Sequence, residues 1–281
     1  MSCCVKICRA AVLVGLLLVG WETAHAQQPV RQASIYSQHK PNGTSDYAGL
    51  GANRLLRGGT WNAYAVTSTT TRVELVRIEY VEPGSYDTWQ FFFSTLASEV
   101  PISVGVYESV IEPNESKPCT VGISVGGPGR DCGHLTGRLE ILAAEFDYNV
   151  PANQQPRVVR FSAKFEQYCE GSTLGMFGSV YYDAPVVPSG PVAVIESVEY
   201  VRGTGRFNST IVVRGKRFGP QSTLLIDGQE AFFNQFDPKN PVTDGEFRIT
   251  RTYRLSPGTH TFEVANPDGT ITEARSLRVG N

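Results

Sequence analysis

Histidine, methionine and cysteine are scarce in this chain, and each scarcity closes off some chemistry. Four histidines and six cysteines serve 281 residues, and Cys3, Cys4 and Cys8 crowd the first eight positions. Zinc takes four ligands, mostly Cys and His, and finds no credible set among those that remain. No Gly-rich phosphate loop precedes a helix, and helical periodicity is nearly absent. An excess of one charge is missing too. A formal net charge of −2 and a pI near 6.1 give no global pull toward nucleic acid or anionic lipid. Past residue 21 no apolar run approaches the roughly 20 residues of a membrane-spanning helix.

What is present begins with an export signal. Lys6 and Arg9 form a basic start, "AAVLVGLLLVGW" (Ala10–Trp21) an apolar core, and "AHA" (Ala24–Ala26) a small-x-small cleavage site before Gln27. Residues 1–26 therefore read as a cleaved secretory signal, with no integral membrane segment in the mature chain. Twenty-eight glycines and seventeen prolines punctuate short runs of period-two alternation, the pattern of an all-β chain. "VVRFSAKFE" is the clearest strand, with Val159, Phe161, Ala163 and Phe165 on one face. "TTRVELVRIEYVE" alternates with a slip near Val76, and "RLEILAAEFDY" suits a strand or a short helix. In "DAPVVPSGP" (Asp183–Pro191) three prolines fix φ and remove backbone donors, so it reads as a stiff linker. The predicted organisation is a β-sandwich over 27–183, a linker over 184–191 and a second sandwich over 192–281.

The second half carries a Gly-x-x-Phe-Gly turn (Gly215, Phe218, Gly219), an "IDG" hairpin, then "PGTHTFEVANPDG". These features, over Val192–Gly280, resemble the IPT/TIG family of immunoglobulin-like domains. The resemblance implies a sandwich serving as spacer or docking module. Some relatives belong to DNA-binding proteins, a role that the export signal argues against. In the first half, "SDYAGLG", "VGVYESV", "GRDCGHLTGRLEI" and "FSAKFEQYCEGSTLGMFGSVYYD" occur in the same order as segments of an uncharacterised, exported bacterial β-sandwich domain, which they resemble. Ser45, His134 and Tyr168 depart from that pattern, Tyr168 standing where relatives carry histidine. The resemblance implies fold and location and carries no activity.

The candidate sites are few. In an oxidising compartment Cys132 and Cys169 are placed to staple neighbouring strands, with Cys119 as a third mature cysteine that leaves three pairings open. As a nucleophile Cys169 would need a histidine, and only His39, His134 and His260 remain, none in a recognisable signature. "GISVG" matches the hydrolase elbow around Ser124, but "GPGRDCG" cannot start the helix an elbow requires. Asp46 in "GTSDYAGLG" is a candidate ligand residue, without the acidic spacing of a dedicated calcium loop. Arg214–Arg217 and Arg248, Arg251 and Arg254 read as solvated strand faces. Trp61 and Tyr64 in "TWNAY" are candidate rings for stacking on sugars, whereas Trp89, Phe91 and Phe93 share a face suited to the core. The expectation is an exported, non-catalytic binding protein with no cofactor, periplasmic or secreted, that takes a polysaccharide or an envelope protein partner. A glycan-active enzyme, or an accessory subunit of one, is the alternative, with Glu140, Glu145, Glu166 and Glu170 as available carboxylates.

Overall fold

Alternating side chains need two surfaces, one dry and one wet, and the chain supplies them with strands almost throughout. The computed structural model describes residues 28–38, 48, 53–67, 72–98, 100–115, 120–190, 192–202, 209–218, 222–231, 246–251 and 255–280, with the backbone alone at 53 and 246–251. Ten strands come first: β1 (Val30–Ser37), β2 (Asn53–Leu56), β3 (Thr60–Val66), β4 (Leu75–Val81), β5 (Thr88–Ser94), β6 (Gly105–Ile111), β7 (Gly122–Gly126), β8 (Leu135–Asp147), β9 (Arg157–Cys169) and β10 (Gly175–Ala184). They form one sheet in the order β2-β1-β10-β9-β8-β6-β7-β5-β4-β3. Seven more follow: β11 (Val194–Val201), β12 (Ser209–Lys216), β13 (Thr223–Ile226), β14 (Gln229–Glu230), β15 (Glu246–Arg251), β16 (Gly258–Ala265) and β17 (Arg275–Val279). These make a three-stranded sheet, β11-β12-β15, and a four-stranded one, β14-β13-β16-β17. The fold is all-β. Among the described residues no helix is long and apolar enough to cross a membrane.

The ten-stranded sheet folds over on itself. Three strands separate β5 from β9, yet the Phe93 and Phe161 rings lie 5.1 Å apart and those of Phe91 and Phe165 6.2 Å apart. The facing layers meet through β6 and β7, the one parallel neighbour pair among the described strands, whose ladder is short, with the register Ile111↔Gly122 and an Ile111 N–H to Val121 carbonyl bond of 3.0 Å. A sheet cannot turn sharply through a full ladder of hydrogen bonds, so the ladder thins where it turns. Ile78, Phe91, Phe93, Ile123, Leu139 and Phe161 are fully buried between the facing layers. The two smaller sheets share a second cluster, in which Ile195, Ile211 and Val213 meet Leu224, Phe262 and Val264.

Several strands differ in detail from their sequence patterns. "RLEILAAEFDY" lies within the 13-residue strand β8. On β9, Phe161, Ala163 and Phe165 are buried as the alternation predicts, but Val159 is 49% exposed. The register with β8 shifts between Glu145 and Phe146, where Val158 and Arg160 pair and Val159 is skipped. That bulge turns the side chain outward. On β4 the buried phase is Val76, Ile78 and Tyr80, while Leu75 faces partly outward.

Both tight turns of the four-stranded sheet dock on the ten-stranded one. Asp227 and Gly228, with φ of 52° and 75°, form the two-residue loop between β13 and β14, a geometry that favours Asp-Gly. The Gly228 carbonyl accepts from Arg57 at 3.1 Å, and a Glu230 carboxyl oxygen accepts from the Leu55 amide. β2 is an edge strand, so this contact covers an exposed ladder position. Burial pushes the Glu230 carboxyl up to about 7 against the pull of Arg54 and Arg57. The second turn, Asn266–Gly269, offers three successive carbonyls: Asn266 to Ser34, Pro267 to Ser179 and Asp268 to Tyr181, the last at 2.7 Å. Within 184–191, Ser189 takes its place in the same contact through Asp268 and Lys164, each at 2.8 Å.

Gly269 is the tightest point of this contact. Its φ is +84°, and a Cβ there would stand 2.7 Å from the Tyr181 ring. Gly269→Val is expected to cost about 2–4 kcal/mol through backbone strain and overpacking. It should also open 184–191 to limited proteolysis. Unchanged thermal unfolding together with an unchanged digestion pattern would show the docking to be energetically idle.

Candidate functional site

A groove of about 580 Å³ runs over β4, β5 and β7 on the face turned away from the core. Its floor follows from register. Directly opposed residues share a face, and the pairs Tyr64↔Arg77, Arg77↔Phe92 and Phe92↔Ser124 make one continuous row. Gln90 and Gly126 pair in the next row. The walls come from the turn that follows β6 and the loop that follows β7. Pro113 in the first wall packs so closely on Gly122 that a Cβ there would stand 2.7 Å from its Cα. In the second wall Pro128 and Gly129, the latter at φ 66°, turn the chain over an Arg130 N–H to Gly127 carbonyl bond of 3.1 Å. Proline followed by a positive-φ glycine is the type II turn signature.

Three polar side chains converge between the walls. Asp131 Oδ1 accepts from the Ser124 hydroxyl at 2.5 Å and from the Cys132 amide at 2.8 Å. Ser124 is also a hydrogen-bond partner of Glu112. Glu112 is 4% exposed, and its Oε2 has no hydrogen-bond partner. Burial, followed by the charges of Asp131 and Glu115, pushes its carboxyl up to about 7, opposed by His134 and Ser124. Arg77 also keeps an unpartnered atom, a buried Nε, although its Nη2 bonds Glu79 at 2.5 Å. Tyr86, 102% exposed, stands at the rim beside Asn114 and Arg130.

The loop that carries Asp131 is tied down by the disulfide between Cys132 and Cys169, whose Cα atoms lie 5.3 Å apart. This is the pairing of Cys132 with Cys169; Cys119 lies outside the described residues, as does Asp46. Gln167, fully buried two residues before Cys169, reaches across the interior to β7. Its Oε1 accepts from the Val125 amide at 2.9 Å, and its Nε2 donates to the Val125 carbonyl at 2.7 Å. β7 lacks a full strand on that side, and one amide side chain stands in for it.

Trp61 requires a correction. It is 8% exposed, packs on Tyr80 with ring centroids 4.9 Å apart and belongs to the core cluster, so it offers no face to a ligand. Trp61 and Tyr64 alternate, and their strand turns the tryptophan inward. Tyr64 remains available at 49% exposed, one strand beyond Arg77 on the groove face. Of the glutamates weighed from sequence, Glu140 and Glu166 line one pocket with Arg138 and Lys164, and Glu145 and Glu170 lie outside it. Glu145 pairs with Arg160 and Glu166 accepts from Tyr168, while Glu140 is 3.8 Å from Arg138. Glu170 sits in a turn at φ 51°. Ser124 lies in the strand β7 with no helix after it, so no hydrolase elbow is formed. His134 pairs with Glu115 at 2.9 Å. Both ring nitrogens of His260 face acceptors, Asp227 Oδ2 at 2.7 Å and the Ser256 carbonyl at 2.9 Å, which holds its pKa above the ordinary histidine range. Arg214 and Lys216 pair with Glu199 and Glu196 of β11. The sequence pattern passed over Glu112, Asp131 and Arg77, although Asp131 precedes a disulfide cysteine and so had a fixed position in prospect.

Among the described residues no group of three His, Cys, Asp or Glu side chains is arranged to hold a metal ion. No protein-family model matches the chain, and no curated protein matches it.

Proposed function

We propose that this chain is an exported, non-catalytic binding protein that takes a saccharide ligand in the groove over β4, β5 and β7. The observation that carries this reading is the pair of buried polar atoms at one groove, Glu112 Oε2 and Arg77 Nε, without partners in the chain. A buried polar atom left unpaired costs about 1–3 kcal/mol, and a polyhydroxylated ligand supplies what each lacks. Tyr86 and Tyr64 add exposed rings for stacking on sugar faces, and Gln90 and Asn114 add amides for hydroxyls. The C-terminal sheets are read as an IPT/TIG-like module. Buried Phe218 and the positive-φ Asp227-Gly228 turn support that, and the docked turns suit a rigid mount for the groove.

A second reading, a glycan-active enzyme, is favoured by one observation. A carboxyl raised to about 7 and the carboxylate of Asp131 line the same groove. Two carboxyls in contrasting surroundings are what acid-catalysed glycoside cleavage requires.

Affinity electrophoresis of the full chain against a panel of soluble polysaccharides tests the first reading. Retardation by at least one glycan is expected, and Tyr86→Ala should weaken it about tenfold, the loss of one well-placed aromatic contact. The fully exposed ring makes no core contact to lose, so thermal unfolding should not move. No retardation by any glycan would overturn the reading. Release of reducing ends on prolonged incubation would move the protein to the second.

A further inference from the structure

Resting on the saccharide reading, we infer that the groove selects a carboxylate-bearing sugar, a uronic acid unit, and holds it only while Glu112 carries a proton. The chemistry of the two unpartnered atoms points there. Arg77 Nε is an N–H donor and nothing else. A protonated Glu112 can carry its proton on Oε2, the oxygen without a partner in the chain, where a ligand carboxylate is a stronger acceptor than the Ser124 hydroxyl. Two orphan donors at one groove call for an acceptor-only group, and a carboxylate has about four lone-pair positions and no proton of its own. A sugar hydroxyl brings its own donor and satisfies such a pair less well. Charge agrees with this. Arg77 and Arg130 line the groove, and Asp131 is already held by the Ser124 hydroxyl and the Cys132 amide.

The proton decides between attraction and repulsion. Protonated, Glu112 donates to a ligand carboxylate in a short charge-assisted hydrogen bond. Deprotonated, it places a second negative charge against that ligand in a site shielded from water. The charged and titratable groups around Glu112 are Glu115 on its own turn, Arg77 of β4, Tyr86 of the turn before β5, and Arg130, Asp131 and His134 of the loop after β7; β5 and β7 present the neutral Gln90, Phe92 and Ser124. Glu112 is the one among them whose carboxyl is raised to about 7. Binding is therefore strong below that value and fades as pH rises through it.

The test uses the full chain with polygalacturonate and with its methyl ester, at about pH 5.5 and about pH 8.5, on either side of the raised value and with the uronate ionised throughout. Polygalacturonate should bind at least about tenfold more tightly at the lower pH, and the methyl ester, which lacks the charge, should bind weakly at both. Glu112→Gln donates an N–H at every pH, so its binding should lose the pH dependence and persist at the higher pH. A thermal melt of the variant confirms that it folds. Equal binding of acid and ester would overturn the uronate assignment while leaving the saccharide reading standing. A pH dependence that survives in Glu112→Gln would overturn the role of the proton. Failure of every glycan at both pH values would remove both.

Discussion

Replacing Cys132 by serine will lower the stability of this protein by about 3–4 kcal/mol, the chain-entropy value for opening a loop of this size. The cysteines are 37 residues apart, and the loop they close contains β8 and most of β9. The functional consequence is more specific than the stability loss. Asp131 is held by the amide of Cys132 and by Ser124, so releasing the cysteine frees one wall of the groove. Glycan retardation should fall with the melting temperature and not merely follow it, a split visible by measuring binding well below the unfolding transition. Cys169→Ser should give the same loss, and the double variant no more, because both residues make one bond. Reductant should bring the wild type to the level of the variants. Additive losses in the double variant, or a wild type indifferent to reductant, would show that Cys132 and Cys169 contribute separately.

Gln167→Leu should destabilise by about 2–5 kcal/mol, although the replacement is apolar, similar in volume and buried. The reason is what it leaves behind. The Val125 amide and carbonyl lose their only partner across the bend, and each orphaned backbone group costs about 1–3 kcal/mol. Gln167→Glu sharpens the test. An ionised glutamate still accepts from the Val125 amide but faces the Val125 carbonyl with a negative charge, whereas a protonated one donates to that carbonyl. Burial raises the folded-state pKa of such a group. Its contribution is then fully present at low pH and is lost as pH rises from the unfolded value through the folded one. Denaturant midpoints should therefore converge on the wild type in acid and separate toward neutral pH. A Leu variant within experimental error of the wild type would mean that β7 is held by β5 alone.

Local rules reached far along this chain. Period-two alternation marked β9 and β5, because pleating sends neighbours to opposite faces whatever lies beyond the strand. Asp227-Gly228 could be read as a two-residue hairpin loop because few other pairs tolerate positive φ twice in succession. Cys132 and Cys169 could be named as a staple because, in a chain whose sequence reads as exported, a thiol near a strand end has few alternatives. None of these needs knowledge of what packs opposite.

The remainder depended on contacts between residues distant in sequence. "TWNAY" offers Trp61 and Tyr64 to opposite faces, and alternation cannot say which face is dry. The row Trp61, Tyr80 and Trp89 closes over the core once the sheet folds over, and β6 and β7, between its facing layers, pair at Ile111↔Gly122. Glu112 looks like any glutamate beside a proline. Its raised carboxyl comes first from burial and then from the charge of Asp131, 19 positions away in the chain, against the opposing pull of Ser124, 12 positions away. The "NPDG" turn was legible as a turn, but not as a row of carbonyls facing Ser34, Ser179 and Tyr181. Propensity and pleat are written locally, whereas burial, register between strands and the field at a carboxyl are sums over neighbours that only the folded chain brings together.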